Sequence, residues 1–248
     1  MIIYIDKPYG KTPNEIINSL KEKDQYKNKK ISFAGRLDPM AKGTLMLLVD
    51  EDCLKQDIYI KHEKIYRFKL VIGVSTDSHD ILGKLLNYNL NYNHETINTK
   101  LINDIIDKFI GMQEQYYPCY CSKRIRGKPL WYLTKNNLLK DTEMPKKHIN
   151  ITYLKFLKKN IENIDTTIDY FINLISKVST KYNFRQDEIL PMWEKFKLNN
   201  IDNKIMILDF ETHVSSGTYI RKLAHDIGTF IDIPCIALNI DRLEIICK

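Results

Sequence analysis

Long apolar runs are missing from this chain of 248 residues. The run Leu45-Met46-Leu47-Leu48-Val49 falls far short of the ~20 residues that a helical membrane span needs. The first residues, Met1-Ile2-Ile3-Tyr4-Ile5-Asp6-Lys7-Pro8, resemble neither a signal peptide nor an Arg-rich transit peptide. A soluble protein without a membrane is therefore expected, cytoplasmic, or nuclear if the source is eukaryotic. Cysteine is scarce and odd in number: Cys53, Cys119, Cys121, Cys235 and Cys247. A C-x-C pair with no second pair and no neighbouring histidine makes a poor zinc site, so reduced thiols are the better reading. The six histidines are scattered without ligand spacing, and no metal is expected. The P-loop, the dinucleotide fingerprint and the G-x-S-x-G elbow are all absent. Acidic residues are also in deficit, 31 against 38 Lys and Arg, which leaves a net charge of +7. That excess fits a polyanionic partner, but many unrelated soluble proteins are equally basic.

Hydrophobic residues make up 44% and charged residues 28%, the balance of a globular protein that can bury a core. The length suits one large domain, or one domain with an insertion. Residues 2–5 read as a strand ended by the turn Asp6-Lys7-Pro8-Tyr9-Gly10. Thr12-Pro13-Asn14-Glu15 resembles a capping box, and Ile16, Ile17 and Leu20 give the helix it starts, 13–23, an apolar face. Residues 63–73 alternate as a strand with Tyr66, Phe68, Leu70 and Ile72 on one face. A helix is predicted over 95–110 and a strand over 205–214. Ser215-Ser216-Gly217-Thr218 is expected to cap a helix over 219–228, with Arg221 in its first turns. Residues 113–134 read as a turn and an extended segment in which aromatic and basic residues interleave. Such mixtures also occur on ordinary edge strands. Residues 160–203 read as a helical insertion, whose Lys177, Lys181, Lys195 and Lys197 either extend a phosphate-binding surface or decorate a solvated face.

One loop stands out, Ser32-Phe33-Ala34-Gly35-Arg36-Leu37-Asp38-Pro39-Met40-Ala41-Lys42-Gly43-Thr44. It holds a single carboxylate between glycines and a proline, beside the apolar run at 45–49. An aspartate fixed on a tight loop suits a nucleophile. Taken singly, Asp38 also suits a plain turn, Tyr66 a core and Arg221 a helix face.

Five segments in order resemble the TruB family of pseudouridine synthases. Asp6-Lys7-Pro8-Tyr9-Gly10 resembles its D-K-P-x-G element, and Gly35 through Gly43 its G-x-L-D-P-x-A-x-G motif. Lys64-Ile65-Tyr66 with Gly73, Thr76, Asp77, Asp80 and Gly83 is similar to the family's next element. Ser122-Lys123 and Gly127-Lys128-Pro129-Leu130 follow, then Ser216-Gly217-Thr218-Tyr219-Ile220-Arg221 through Gly228. The resemblance implies an α+β catalytic fold, a mixed and largely antiparallel sheet flanked by helices with a central RNA-binding cleft. It implies one catalytic domain over 1–248 carrying the insertion, with the chain ending before the C-terminal PUA domain of bacterial members. Asp38 would be the nucleophile on a flipped-out uridine, Arg221 its partner cation, and Tyr66 a stacking ring with a hydroxyl for proton transfer. Lys7, Pro8, Phe33, Arg36, Lys64, Lys123, Tyr219, Ile240 and Arg242 would contact substrate or shape its pocket. No cofactor is implied, because the reaction is an isomerisation. The implied partner is RNA, by preference the T-arm of tRNA with its T-loop uridine, and a monomer is expected. The competing readings are the same chemistry on mRNA or rRNA, and a non-catalytic RNA-folding factor on the same fold.

Some positions depart from the pattern. Phe33 and Ala34 stand where the family has a histidine and a threonine, so stacking by Phe33 would replace the histidine's part in handling the flipped nucleotide. Arg36 stands where a small residue is usual, and would fill the gap left by the flipped base. Asp241 replaces the first arginine of an L-R-R-L element.

Overall fold

A computed structural model describes residues 1–139 and 142–247. The chain opens with β1 (Ile2–Lys7) and α1 (Pro13–Lys21). The expected capping box is formed: the Thr12 hydroxyl accepts from the Glu15 amide, and the Glu15 carboxylate accepts from the Thr12 amide at 2.8 Å. Next come β2 (Ile31–Ala34), β3 (Ala41–Val49), the short α2 (Gln56–Tyr59) and β4 (Glu63–Ile72). A small hairpin of β5 (Val74–Thr76) and β6 (Leu85–Tyr88) precedes α3 (Thr99–Phe109) and β7 (Gly111–Tyr116). The aromatic and basic segment that follows holds β8 (Arg124–Ile125), β9 (Lys128–Pro129) and α4 (Leu130–Lys135). Its last residues are thus helical where an extended run was expected. The chain then forms β10 (Lys146–Asn163), α5 (Ile164–Ser176), α6 (Gln186–Asn199), β11 (Lys204–Val214), α7 (Ile220–Phe230) and β12 (Cys235–Ile246). Residues 160–163 belong to β10, so the helical part of the expected insertion runs from Ile164 to Asn199.

The main sheet has eight strands in the order β1-β3-β12-β4-β11-β10-β7, with β2 also paired to β3. Every pairing is antiparallel except β3 with β12. Both faces of the sheet's centre are buried. On β11, Met206, Leu208 and Phe210 join one core with α1, α3 and α7, while Ile205 and Ile207 join a second core with α5 and α6. Phe68 and Phe210, paired across β4 and β11, stack with ring centroids 5.7 Å apart.

β12 changes phase midway. Ile236 and Leu238 face the α5–α6 core, yet Ile240 lies in the opposite one with Cys235 and Ala237. The register against β4 slips between Leu238 and Asp241, and Asn239 has a left-handed φ of 51°. This bulge re-aims the rest of the strand and turns Ile240 and Arg242 toward the Asp38 loop. Among the described residues no helix is long and apolar enough to cross a membrane.

Candidate active site

The Asp38 loop joins β2 to β3. Gly35 there has a φ of 81°, open to glycine but costly for other residues. The loop is tied to its surroundings from several sides. Arg242, almost fully buried, donates from Nε to Thr44 O at 2.6 Å and from Nη2 to Gly35 O at 3.1 Å. Gln56 of α2 donates to Phe33 O at 2.8 Å. Gly10 N bonds Pro39 O, and Ala41 N bonds Asp38 O.

Asp38 lies at the wall of a cleft of about 630 Å³, with its side chain 31% exposed. Arg221 of α7 meets it, Nε to Oδ2 at 2.8 Å. Arg221 is 3% exposed, and its guanidinium has further partners. Nη1 donates to Ser78 O, and Nη2 donates to Tyr120 O at 3.2 Å. The Asp80 carboxylate lies 3.5 Å from Nε. Burial works against the Arg221 charge, but Asp38 and Asp80 together hold its pKa above the ordinary value. Burial pushes the Asp80 carboxyl up to about 6, against the pull of Arg221. Asp80 accepts from the Ser78 hydroxyl and, at 3.0 Å, from Leu82 N. Arg221 thus sits between one half-open and one buried carboxylate, a geometry that leaves Asp38 few alternative orientations.

Tyr66 of β4 is buried, 7% exposed, and lines the same cleft. So do Phe33, Arg36, Lys64, Tyr219, Ile240 and Arg242. Arg36 is exposed, with its guanidinium carbon 5.4 Å from the Phe33 ring centroid. Burial lowers Lys64 to about 8, and its ammonium donates to the carbonyls of Ile60 and His62. Tyr219 is held through its backbone. Its N–H donates to Gln115 Oε1 at 2.9 Å, and its carbonyl accepts from Gln115 Nε2 at 3.2 Å. The residues before it do not cap α7 as expected, since Tyr219 takes the N-cap position without a side-chain bond and the Thr218 hydroxyl bonds Ser215 O instead.

Three expected site residues lie outside the cleft lining. Lys7 is fully buried, its ammonium bonded to the carbonyls of Pro8 and Lys11 at 3.0 and 2.7 Å, and burial lowers it to about 8. Pro8 is exposed on the turn after β1. Lys123 is exposed, its ammonium 5.2 Å from the Tyr117 ring centroid.

Other residues enter the site without having been singled out for a role. Asp80 and Ser78 clamp Arg221 from the loop after β5. That loop is in turn gripped by α6: Arg185 pairs with Asp77, Trp193 Nε1 donates to Ile81 O at 3.0 Å, and Lys84 pairs with Glu188. Asp77 and Asp80 were visible as spaced carboxylates in Thr76-Asp77-Ser78-His79-Asp80. Arg185 had no local signal, because its segment reads as surface decoration. Of the lysines there, Lys197 is neutralised by Asp165 and Asp169.

A family model described as TruB family pseudouridylate synthase (N terminal domain) matches residues 23–171. The tRNA pseudouridine synthase B of Mycoplasma mobile is 28% identical over 245 residues, covering 99% of this chain and 68% of that protein. The enzyme of the same name from Fusobacterium nucleatum is 32% identical over 228 residues, 92% of this chain and 61% of its own. The tRNA pseudouridine synthase 4 of Saccharomyces cerevisiae is 26% identical, covering 87% of this chain and 60% of that protein. Among solved structures, the crystal structure of a Cbf5-Nop10-Gar1 complex matches with a TM-score of 0.56 at 15% identity, over 98% of this chain and 48% of that one. An H/ACA RNP bound to a substrate RNA containing 2'-deoxyuridine matches with a TM-score of 0.54 at 16% identity. These two likenesses establish the shared fold. The chain spans 60–68% of the three curated relatives and about half of the matched structural chains.

Proposed function

Because the chain belongs to the TruB family of pseudouridylate synthases, we propose that it isomerises a uridine of tRNA to pseudouridine, at the T-loop, with Asp38 as nucleophile. The observation that carries this reading is the Asp38 carboxylate presented to a cleft of about 630 Å³ and fixed at 2.8 Å by a buried arginine. A nucleophile that forms a covalent adduct needs that kind of rigid presentation. The names of the relatives, all tRNA pseudouridine synthases, support tRNA as the substrate.

The target base must leave its stack to reach the cleft. An Asp38 oxygen then bonds C1′ as the bond between N1 and C1′ breaks, the base turns, and C5 bonds C1′ as the Asp38 carboxylate leaves it. Overall a proton leaves C5 and one is gained at N1, so atoms and electrons balance without an oxidant, a reductant or a co-substrate. Tyr66 supplies a ring against the base and a hydroxyl for the proton movement. Arg221 orients the carboxylate, and Arg242 holds the loop that carries it. One catalytic domain, acting as a monomer, with the α5–α6 segment inserted between β10 and β11, completes the proposal.

The test is incubation of the chain with unmodified tRNA and, separately, with mRNA and rRNA transcripts, followed by carbodiimide mapping of pseudouridine. Modification at the T-loop uridine is expected. Modification only outside tRNA refutes the substrate, and no modification in any RNA refutes the reaction.

A further inference from the structure

We propose that the turn between α5 and α6 forms a wall of the substrate cleft, where Tyr182 stacks on an unpaired nucleotide beside the target base. The inference rests on the RNA reading above and assigns part of the recognition to a segment that the sequence presents as decoration.

Tyr182, Asn183, Phe184 and Arg185 line the same cleft as Asp38. The turn is built to hold one shape. Asn183 and Arg185 both have left-handed φ values, 46° and 65°; asparagine adopts that region readily, but an arginine keeps it only when its surroundings enforce it. The enforcement is visible. The Arg185 guanidinium makes a two-pronged pair with Asp77 at 2.6 and 3.0 Å, donates to the Tyr120 hydroxyl at 2.6 Å, and lies 4.1 Å from the Tyr120 ring centroid. Lys135 of α4 reaches Asn183 O at 3.3 Å. The turn is therefore joined both to the loop that clamps Arg221 and to the segment that carries Tyr120, Trp131 and Lys135.

Within this wall Tyr182 is 36% exposed, and Trp131, also in the cleft lining, is 45% exposed. Cations accompany the rings. Lys181 Nζ is 6.0 Å from the Tyr182 centroid, and Lys128 Nζ is 5.3 Å from that of Tyr132, the neighbour of Trp131 just outside the cleft lining. Among the described residues, neither ammonium has a carboxylate partner. An open ring beside an unpaired cation matches a nucleotide, with the base on the ring and the phosphate on the ammonium. A dry apolar ligand would leave the cations without a role.

The experiment measures binding of a fluorescein-labelled T-arm stem-loop RNA by anisotropy, with the single-turnover rate at saturating RNA followed in parallel. Tyr182→Ala is expected to raise Kd about tenfold, the scale of one lost base stack, with the loss in Kd and not in the saturating rate. Tyr182→Phe keeps the ring and should restore Kd to within about twofold of the parent chain. Glu194→Gln, on the exposed side of α6, serves as the unaffected control. Melting curves check that each variant is folded. A Kd within about twofold of the parent for Tyr182→Ala overturns the inference, as does a Tyr182→Phe variant that binds as weakly as Tyr182→Ala. RNA binding without pseudouridine formation refutes the reaction, while the Kd comparison still decides this inference. Failure of the parent chain to bind the RNA overturns both.

Discussion

Asp80 is an ionisable group whose environment disfavours its charge. It is fully enclosed, and Arg221, the Ser78 hydroxyl and the Leu82 amide offset the lost water. Its folded value, about 6, lies above the ~3.9 of an unfolded aspartate. The native state therefore holds the proton more tightly. That contribution to stability is complete below about pH 4, is lost as pH rises to about 6, and is constant above. The parent chain should thus lose unfolding free energy from this group between pH 4 and 6. Asp80→Asn, which cannot ionise, should lose less over the same interval in urea titrations. Equal pH slopes for the two chains would remove Asp80 from this role. A second consequence concerns Arg242. Arg242→Ala would strand the carbonyls of Thr44 and Gly35 and should cost about 1–3 kcal/mol in urea unfolding.

At the scale of elements, β3 and β12 approach so closely that only glycine fits between them. A Cβ on Gly43 would lie 2.4 Å from Arg242 O, and the residue's φ is 101°. Gly43→Ala should destabilise the chain by more than about 1 kcal/mol and loosen the Asp38 loop immediately upstream of β3. Unfolding curves read the first effect directly. Local signals served well where an element's chemistry is local. The α1 capping box, the alternation of β4 and β11 and the spacing of α3 all describe what the structure contains. They were silent at β12, which is flanked by strands on both sides and in which the short apolar run Cys235-Ile236-Ala237-Leu238 is followed by the polar Asn239, Asp241, Arg242 and Glu244. Its bulge at Asn239 depends on pairing with β4, which nothing nearby in the sequence reveals. They failed at 130–135, where the expected extended segment is the helix α4.

At the scale of the whole molecule, Lys7, Lys64 and Lys147 are each lowered to about 8, chiefly by burial. An unfolded lysine titrates near 10.4. Between those values the unfolded chain binds more protons than the native one at these lysines, so they contribute a rise in stability from about pH 8 to about pH 10, opposed by the Cys119, Cys121 and Cys235 thiols, whose pKa burial raises. Burial also raises Tyr9, Tyr92 and Tyr219, and these reverse the trend once unfolded tyrosines ionise near 10. Lys147→Met, which cannot titrate, removes one lysine contribution, so its urea midpoint should rise less or fall more than the parent's from pH 8 to 10; equal pH slopes for the two chains would contradict the lysine contribution.

The cleft itself was only partly legible in the sequence. Asp38, Tyr66 and Arg221 come together from a loop, a strand and a helix far apart in the chain, and their motif spacing pointed to each. The wall built by Tyr182 and Arg185 was not legible, because its place depends on a bidentate pair formed across 108 residues. Lys7, Pro8 and Lys123 lie in the same motifs but outside the cleft lining, since motif spacing does not encode which side of a turn faces inward.

The central claim is that Asp38 carries the isomerisation, and Asp38→Asn tests it most directly. The substitution keeps the side chain's size and its capacity to bond Arg221 while removing the nucleophilic carboxylate. Single-turnover pseudouridine formation in the T-arm RNA should fall by at least ~10³-fold in Asp38→Asn, with the melting curve and RNA affinity close to those of the parent. A folded Asp38→Asn chain that modifies the RNA at the parent's rate would contradict the account.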